Sequence, residues 1–364
     1  MDPIEYALAE LARGRPVVVA DGEDRENEGD LIVAADRVTT ETMAFIVRHS
    51  SGFVCVALPD AECARLALPP MYHSNNDHFG TAYRVTVDAA SGVSTGISAR
   101  DRARTARVLA DPATRPGDLT RPGHVVPLAA RPGGVLERPG HTEAAVDLAR
   151  LAGLRPAGVL CEVVSERDPS RMARRPELAA FAAEHGLALI TIDSLVAFRR
   201  ATEAAAERVV GVRLPTGSGV LRTVGYRGLP DGAEHVALVA GASDGRDIPV
   251  HVHVECVPGD VFGSNGCDCA ARLDAAVREV TAARRGIVVY LRPRVGDPLR
   301  GLFDERHRVG CGPAELAVAA SILTDLGVTS LRHLQNPVAV RGGLDAAFAA
   351  AVRREAAEAP GAVA

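Results

Sequence analysis

The chain has 364 residues, 47% of them hydrophobic, and a formal charge of -5, enough for two domains of ordinary size with separate cores. That balance gives no support for a nucleic-acid partner, and all 41 basic residues are arginine, which excludes a lysine Schiff base and a P-loop lysine. No basic leader and no apolar run of about 18 residues occurs, so neither a signal peptide nor a membrane span is expected; seven scattered cysteines fit a reducing cytoplasm better than a disulfide framework.

An amphipathic helix opens the chain, followed by the apolar run 16–20. Next comes Asp21-Gly-Glu-Asp-Arg-Glu-Asn-Glu-Gly-Asp30, and then a second apolar run, 31–34. Two strands are predicted to deliver a loop carrying six acidic side chains, one arginine and two glycines. Carboxylates packed this closely repel, so a cation, a sugar polyol or a proton must sit among them; a solvated acidic turn is the alternative. The glycines are expected to let the backbone approach a ligand. A helix-loop-helix calcium site fails, because counting from Asp24 puts Ala35 where its last, bidentate glutamate belongs.

A helix is expected over about 40–47, then the buried strand 53–57, a polar loop 72–82 and an alternating strand 83–88. The turn Gly92-Val-Ser-Thr95-Gly-Ile-Ser98 precedes a helix over 99–110 and suits either a phosphate or simple capping. Arg121-Pro-Gly-His124 presents a histidine after a rigid Pro-Gly turn. Arg138-Pro139-Gly140-His141-Thr142-Glu143 repeats the pattern at a helix start, where Thr142 and the helix amides suit a phosphate and Arg138 would be its charge partner. The strand 156–162 ends on Glu162, whose burial would raise its pKa toward acid–base use.

These motifs, in this order, closely resemble 3,4-dihydroxy-2-butanone 4-phosphate synthase over about residues 4–200. The resemblance implies conversion of ribulose 5-phosphate to L-3,4-dihydroxy-2-butanone 4-phosphate and formate in riboflavin synthesis. It implies metal ligation, magnesium or manganese, by Glu26 and His141. Arg25, Glu28 and Asp30 would contact the sugar; Arg138, Thr142 and Thr95, with the Pro139-Gly140 turn, would surround the phosphate. His124 and Glu162 would transfer protons. A cytoplasmic homodimer is implied as well.

Beyond residue 207, strands are expected over 209–215, 234–239 and 251–256, the last with His251, His253 and Glu255 on one face. Cys256, Cys267 and Cys269 place three thiols within fourteen residues, a pattern for zinc with an open fourth position or for reduced, unligated thiols. Here the chain resembles GTP cyclohydrolase II, which implies zinc on those cysteines. Chemistry-bearing positions of that family are replaced, however. An arginine heading the nucleotide strand is His251, the catalytic aspartate and arginine fall on Gly312 and Ala314, and the guanine and phosphate contacts fall on Leu334 and Ala339. The loop Pro293–Asp297 and the out-of-register triplet Asp304-Glu-Arg306 differ from the family too.

The expected fold is α+β, two mixed α/β domains: residues 1–200, a linker 201–207, a second domain 208–350 and a tail 351–364. The expected function is the synthase with a second domain inactive on GTP. The alternatives are a bifunctional synthase and cyclohydrolase, or a non-catalytic nucleotide- or metabolite-binding protein.

Overall fold

The computed structural model describes residues 2–229, 232–292 and 311–358, without the side chains of residues 201, 339 and 354–358. The loop Pro293–Asp297, the triplet Asp304-Glu-Arg306 and the Ala339 side chain therefore lie outside the described residues. Contacts divide the chain into two units, 1–198 and 199–364.

The first unit contains, in order, α1 (Pro3–Ala12), β1 (Val17–Ala20), β2 (Gly29–Ala34), α2 (Thr40–His49), β3 (Cys55–Pro59), α3 (Asp60–Arg65), β4 (Val87–Ala89), α4 (Ala99–Ala110), β5 (Leu119–Ala130), α5 (His141–Leu151), β6 (Gly158–Glu162), α6 (Arg175–His185) and β7 (Leu189–Thr191), with α7 (Ile192–Thr202) at its end. Its mixed sheet has the order β4-β5-β3-β6-β2-β1-β7. Strand side chains alternate between faces, so Val18, Leu31 and Val33 meet Met43, Ile46, Leu109 and Leu178 on one side. Val17, Val19 and Ile32 meet Leu11, Ala144, Leu148 and Leu195 on the other. Both faces are covered, which explains why these strands read as unbroken apolar runs.

Three expectations are corrected here. Phe53 is 50% exposed, and the strand begins at Cys55. Of the run 83–88 only the end is strand, with isolated bridges pairing Tyr83 and Arg84 to neighbours. Pro122 and Gly123 form no turn: they lie inside the twelve-residue β5, where the register against β4 shifts between Val87 and Asp88. A Cβ on Gly123 would sit 2.0 Å from the Val87 carbonyl carbon, so glycine marks a close backbone approach at an irregular pairing.

In the second unit β8 (Ala206–Thr216), β9 (Gly219–Gly228), β10 (Glu234–Ala240), β11 (Ile248–Val254), α8 (Cys269–Ala283), β12 (Gly286–Leu291), α9 (Pro313–Asp325), β13 (Leu331–His333) and α10 (Val338–Glu358) follow. The sheet order is β13-β11-β12-β10-β9-β8. The expected linker 201–207 takes in the end of α7, the connecting residues 203–205 and the start of β8, and α10 continues through the expected tail to Glu358.

Candidate active site

The loop 21–28 closes an antiparallel hairpin in which Ala20 pairs with Gly29 and Val19 with Asp30. Much of its negative charge is neutralised internally. Asp21 accepts the amides of Glu26 at 3.1 Å and Glu28 at 2.8 Å and the Arg25 guanidinium at 2.9 Å; Arg25 also reaches Glu26 at 2.6 Å. Arg174 donates to the carbonyls of Glu26, at 2.7 Å, and Asn27, pinning the loop from behind. The glycines also serve packing: a Cβ on Gly29 would strike the Leu178 side chain at 2.4 Å, and one on Gly22 would strike the Asp24 carboxylate at 2.4 Å.

His141 opens α5 directly beside this loop, 5% exposed. Its Nε2–H donates to the Val19 carbonyl at 3.1 Å, so Nδ1 faces Glu26 at 3.6 Å and Asp30 at 3.8 Å. That backbone partner fixes the tautomer as metal-binding histidines require. Two donors of one octahedral magnesium lie roughly 3 to 4 Å apart for bonds of about 2.1 Å, so the Glu26–His141 spacing fits a shared ion. Asp21, Glu26 and His141 offer donor atoms within 4.8 Å of one another, and Asp30 Oδ1 is buried with no hydrogen-bond partner. Asp21 and Glu26 also accept from Arg25, and Glu26 and His141, with Asp21 and Asp30 beside them, are the groups that fit a cation.

The electrostatics agree. Burial drives Asp30 up to about 7 despite His141, with neighbouring carboxylates adding to the rise. Burial works to lower His141, but Asp30, Glu26 and Asp21 outweigh it and lift the imidazole to about 9. Burial works to raise Glu26 too, yet His141 and Arg25 hold it below the usual carboxylate range. Glu28 is raised, first by burial. Without a metal, a proton on His141 offsets the charge.

Asp30 pairs across the strands with Glu162. Glu162 is half-buried rather than enclosed, and Ser51 Oγ donates to its Oε2 at 2.6 Å. His124 lies in a separate cluster on β5, two strands from β6 in the sheet. Its Nδ1 is 2.7 Å from Asp88 Oδ2, and its backbone amide donates to Asp88 Oδ1 at 3.0 Å. Asp88 thus orients the ring and leaves Nε2 for chemistry. Sequence reasoning missed Asp88, although a carboxylate ending a strand run is the signal that singled out Glu162. The same reasoning missed Ser51.

Gly96, at φ +94°, packs on this pair: a Cβ there would lie 2.1 Å from Asp88 Oδ2 and 2.6 Å from His124 Nδ1. The 92–98 turn is held by Asp101, which accepts from Ser94 N and Oγ and from Gly96 N, while Ser98 caps α4. Those amides are taken, and exposed Thr95 remains beside the His124 pair. By contrast α5 begins at Gly140 with no side-chain cap, so its first amides and buried Thr142 suit an anion. Arg138 is held by Glu143 at 2.5 Å, Thr81 at 2.9 Å and the Phe79 carbonyl at 3.1 Å, and Phe79 packs under Arg25. The 72–82 loop therefore joins two arginines of the site, and Pro139 carries the chain between Arg138 and the helix start.

In the second unit, Cys256 and Cys267 sulfurs are 3.7 Å apart, and the donor atoms of Cys256, Cys267 and Cys269 lie within 4.8 Å of one another. Tetrahedral zinc with bonds of about 2.3 Å separates two sulfurs by roughly 3.8 Å, so the trio fits that ion. A Cβ on Gly259 would lie 2.9 Å from Cys256 Sγ, which shows how tightly the chain wraps the thiols. His251 is 1% exposed and gives Nδ1 to the Leu334 carbonyl at 2.9 Å; burial pushes it down to about 4, so it is neutral at pH 7. Leu334 is buried and apolar, and Gly312 precedes α9 with Ala314 in its first turn.

A carboxylate-and-imidazole cluster at the ends of central strands, beside an uncapped helix start, has the groups an enzyme acting by acid–base chemistry needs. The comparisons narrow that class. A family model described as 3,4-dihydroxy-2-butanone 4-phosphate synthase matches residues 5–198, and one described as GTP cyclohydrolase II matches residues 207–309. The riboflavin biosynthesis protein RibBA of Salinispora arenicola is 55% identical, covering 94% of this chain and 85% of that protein; its counterpart in Rhodococcus jostii is 53% identical, covering 94% and 88%. The crystal structure of RibBX, a two domain 3,4-dihydroxy-2-butanone 4-phosphate synthase from A. baumannii, is 36% identical with TM-score 0.71, covering 92% of this chain and 94% of that one. A synthase structure in complex with two magnesium ions is 47% identical with TM-score 0.53, covering 56% and 98%. This chain belongs to the 3,4-dihydroxy-2-butanone 4-phosphate synthase family, and its second unit carries the GTP cyclohydrolase II fold.

Proposed function

We propose that the first unit converts ribulose 5-phosphate to L-3,4-dihydroxy-2-butanone 4-phosphate and formate. The observation that carries this is the Glu26–His141 pair at 3.6 Å, with buried Asp30 Oδ1, free of any hydrogen bond, beside it. Glu26 and His141 would hold a divalent ion, magnesium or manganese; when bound, it spreads the negative charge that develops across ketone and hydroxyl oxygens. The magnesium-bound relative supports that choice. Arg25, Glu28 and Asp30 orient the hydroxyls, while the start of α5, Thr142, Arg138 and Thr95 receive the phosphate. His124, oriented by Asp88, takes a carbon-bound proton at Nε2, and Glu162, steadied by Ser51, serves as the second proton carrier. Incubating the full chain with carbon-13 ribulose 5-phosphate and magnesium should release formate and a four-carbon phosphate by NMR. An unchanged sugar spectrum overturns the assignment.

For the second unit, the cyclohydrolase family match and the curated RibBA relatives favour a bifunctional enzyme that also opens GTP. A specific observation favours the other reading, loss of that activity. Neutral, buried His251 offers no cation to a triphosphate, Leu334 offers no hydroxyl to guanine, and Gly312 and Ala314 offer no acid–base or charged group. The family match ends at 309, short of those last two positions. On these residues we infer that GTP turnover is lost while the three thiols keep zinc. Assaying diaminopyrimidine from GTP separates the readings. Homodimer assembly in the cytoplasm, carried from the family resemblance, is checked for its oligomeric part by light scattering.

A further inference from the structure

We propose that His49, Glu166 and His185 form a second divalent-metal site in the first unit, one suited to zinc or another imidazole-seeking transition ion. Their donor atoms lie within 4.8 Å of one another, and the two imidazole centroids are 4.9 Å apart. Each histidine is the last residue of its helix, α2 or α6, so the negative ends of two helix dipoles converge where a cation would sit. Phe45 and Phe181 flank the half-buried imidazoles at 4.5 to 5.7 Å and give the site an apolar wall.

An aromatic stack alone would account for the rings but not for His185 Nε2, which is buried with no hydrogen-bond partner. A buried ring nitrogen left unmatched is costly, and a metal bond to its lone pair removes that cost. Glu166 is exposed on the loop after β6 and supplies the adjustable third ligand. Two nitrogens, one carboxylate and an open side describe a zinc donor set, richer in imidazole than the single histidine of the acidic-loop site. This site shares no ligand with the acidic loop or with the thiols of the second unit.

An ion there would tie the connection after α2 to the loop after β6. Ser51 is two residues from His49, Glu162 is four from Glu166, and the Ser51–Glu162 hydrogen bond spans the two segments. The test counts zinc on the chelator-stripped full-length chain at buffered free zinc by elemental analysis. Wild type is compared with Glu166→Gln and His185→Ala, the other zinc-capable groups being common to all three. The expected result is about one fewer equivalent for His185→Ala and at least a tenfold weaker final equivalent for Glu166→Gln. Identical zinc titrations across the three proteins overturn the site and leave a packed aromatic cluster. Should His185→Ala fail to fold, the exposed Glu166→Gln substitution decides alone.

Discussion

At the sheet ends of the first unit, the β1–β2 loop, β6 and the start of α5 bring Glu26, Asp30, Glu162 and His141 together. In the second, β11 carries neutral His251 against the carbonyl of apolar Leu334. Both units have a mixed sheet packed on an apolar core, although edge strand β8 of the second sheet is exposed along most of its length, so the presence of a core does not distinguish them. What differs is whether charged groups have been kept at the expense of stability. Buried Asp30, whose Oδ1 accepts no hydrogen bond, is tolerated where it has a task; on the reading proposed above, Gly312 and Ala314 would follow the opposite course, keeping the scaffold without the reactive groups.

The hardest blow to this contrast would come from Glu26→Ala or His141→Ala. Each should reduce formate release from ribulose 5-phosphate by about a thousandfold or more, since groups sharing one ion act as a unit. Retained turnover in both would break the metal assignment. The second unit supplies the converse trial: diaminopyrimidine formation from GTP should be slower than in an intact cyclohydrolase by a comparable factor. Comparable rates would establish the bifunctional reading and remove the contrast.

A smaller effect is expected at the second cluster. Asp88→Asn should lower kcat by about a hundredfold with little change in KM, because it misdirects the His124 ring without removing a substrate contact. An unchanged kcat would leave His124 without its orienting partner. The pH dependence of metal affinity is gentler still. His141 must lose its Nδ1 proton to bind an ion, and that proton leaves near pH 9, so manganese affinity should rise roughly tenfold per pH unit up to about 9 and then level. Below about 7, where Asp30 also holds a proton, the slope should steepen. Calorimetric manganese titrations between pH 6 and 10 that show no slope would contradict these proton assignments.

Much of this site was legible because its residues sit in short, ordered motifs: the acidic loop, the 138–143 helix start and the strand ending at Glu162. What stayed hidden depends on tertiary pairing. Asp88 and His124 are 36 positions apart, and only the irregular β4–β5 register brings them together. Pro122 and Gly123 read locally as a turn, whereas the neighbouring backbone turns them into strand. Gly29 reads as ligand access and proves to be space for Leu178, a packing fact no spacing rule reports.

The mildest perturbation sharpens the comparison most finely. Cys267 is half-buried at the thiol cluster of the second unit, so Cys267→Ser removes one sulfur without opening a core. If those thiols hold zinc structurally, the variant should lose that ion, and the thermal transition of the second unit should fall by several degrees, because binding free energy adds directly to stability. Ribulose 5-phosphate turnover should stay within about twofold, since the thiols belong to a different unit from the acidic loop and the His124 pair. Calorimetry with both units in one chain reads the two transitions together. A drop in ribulose turnover alongside the lost ion would show that the second unit governs the first.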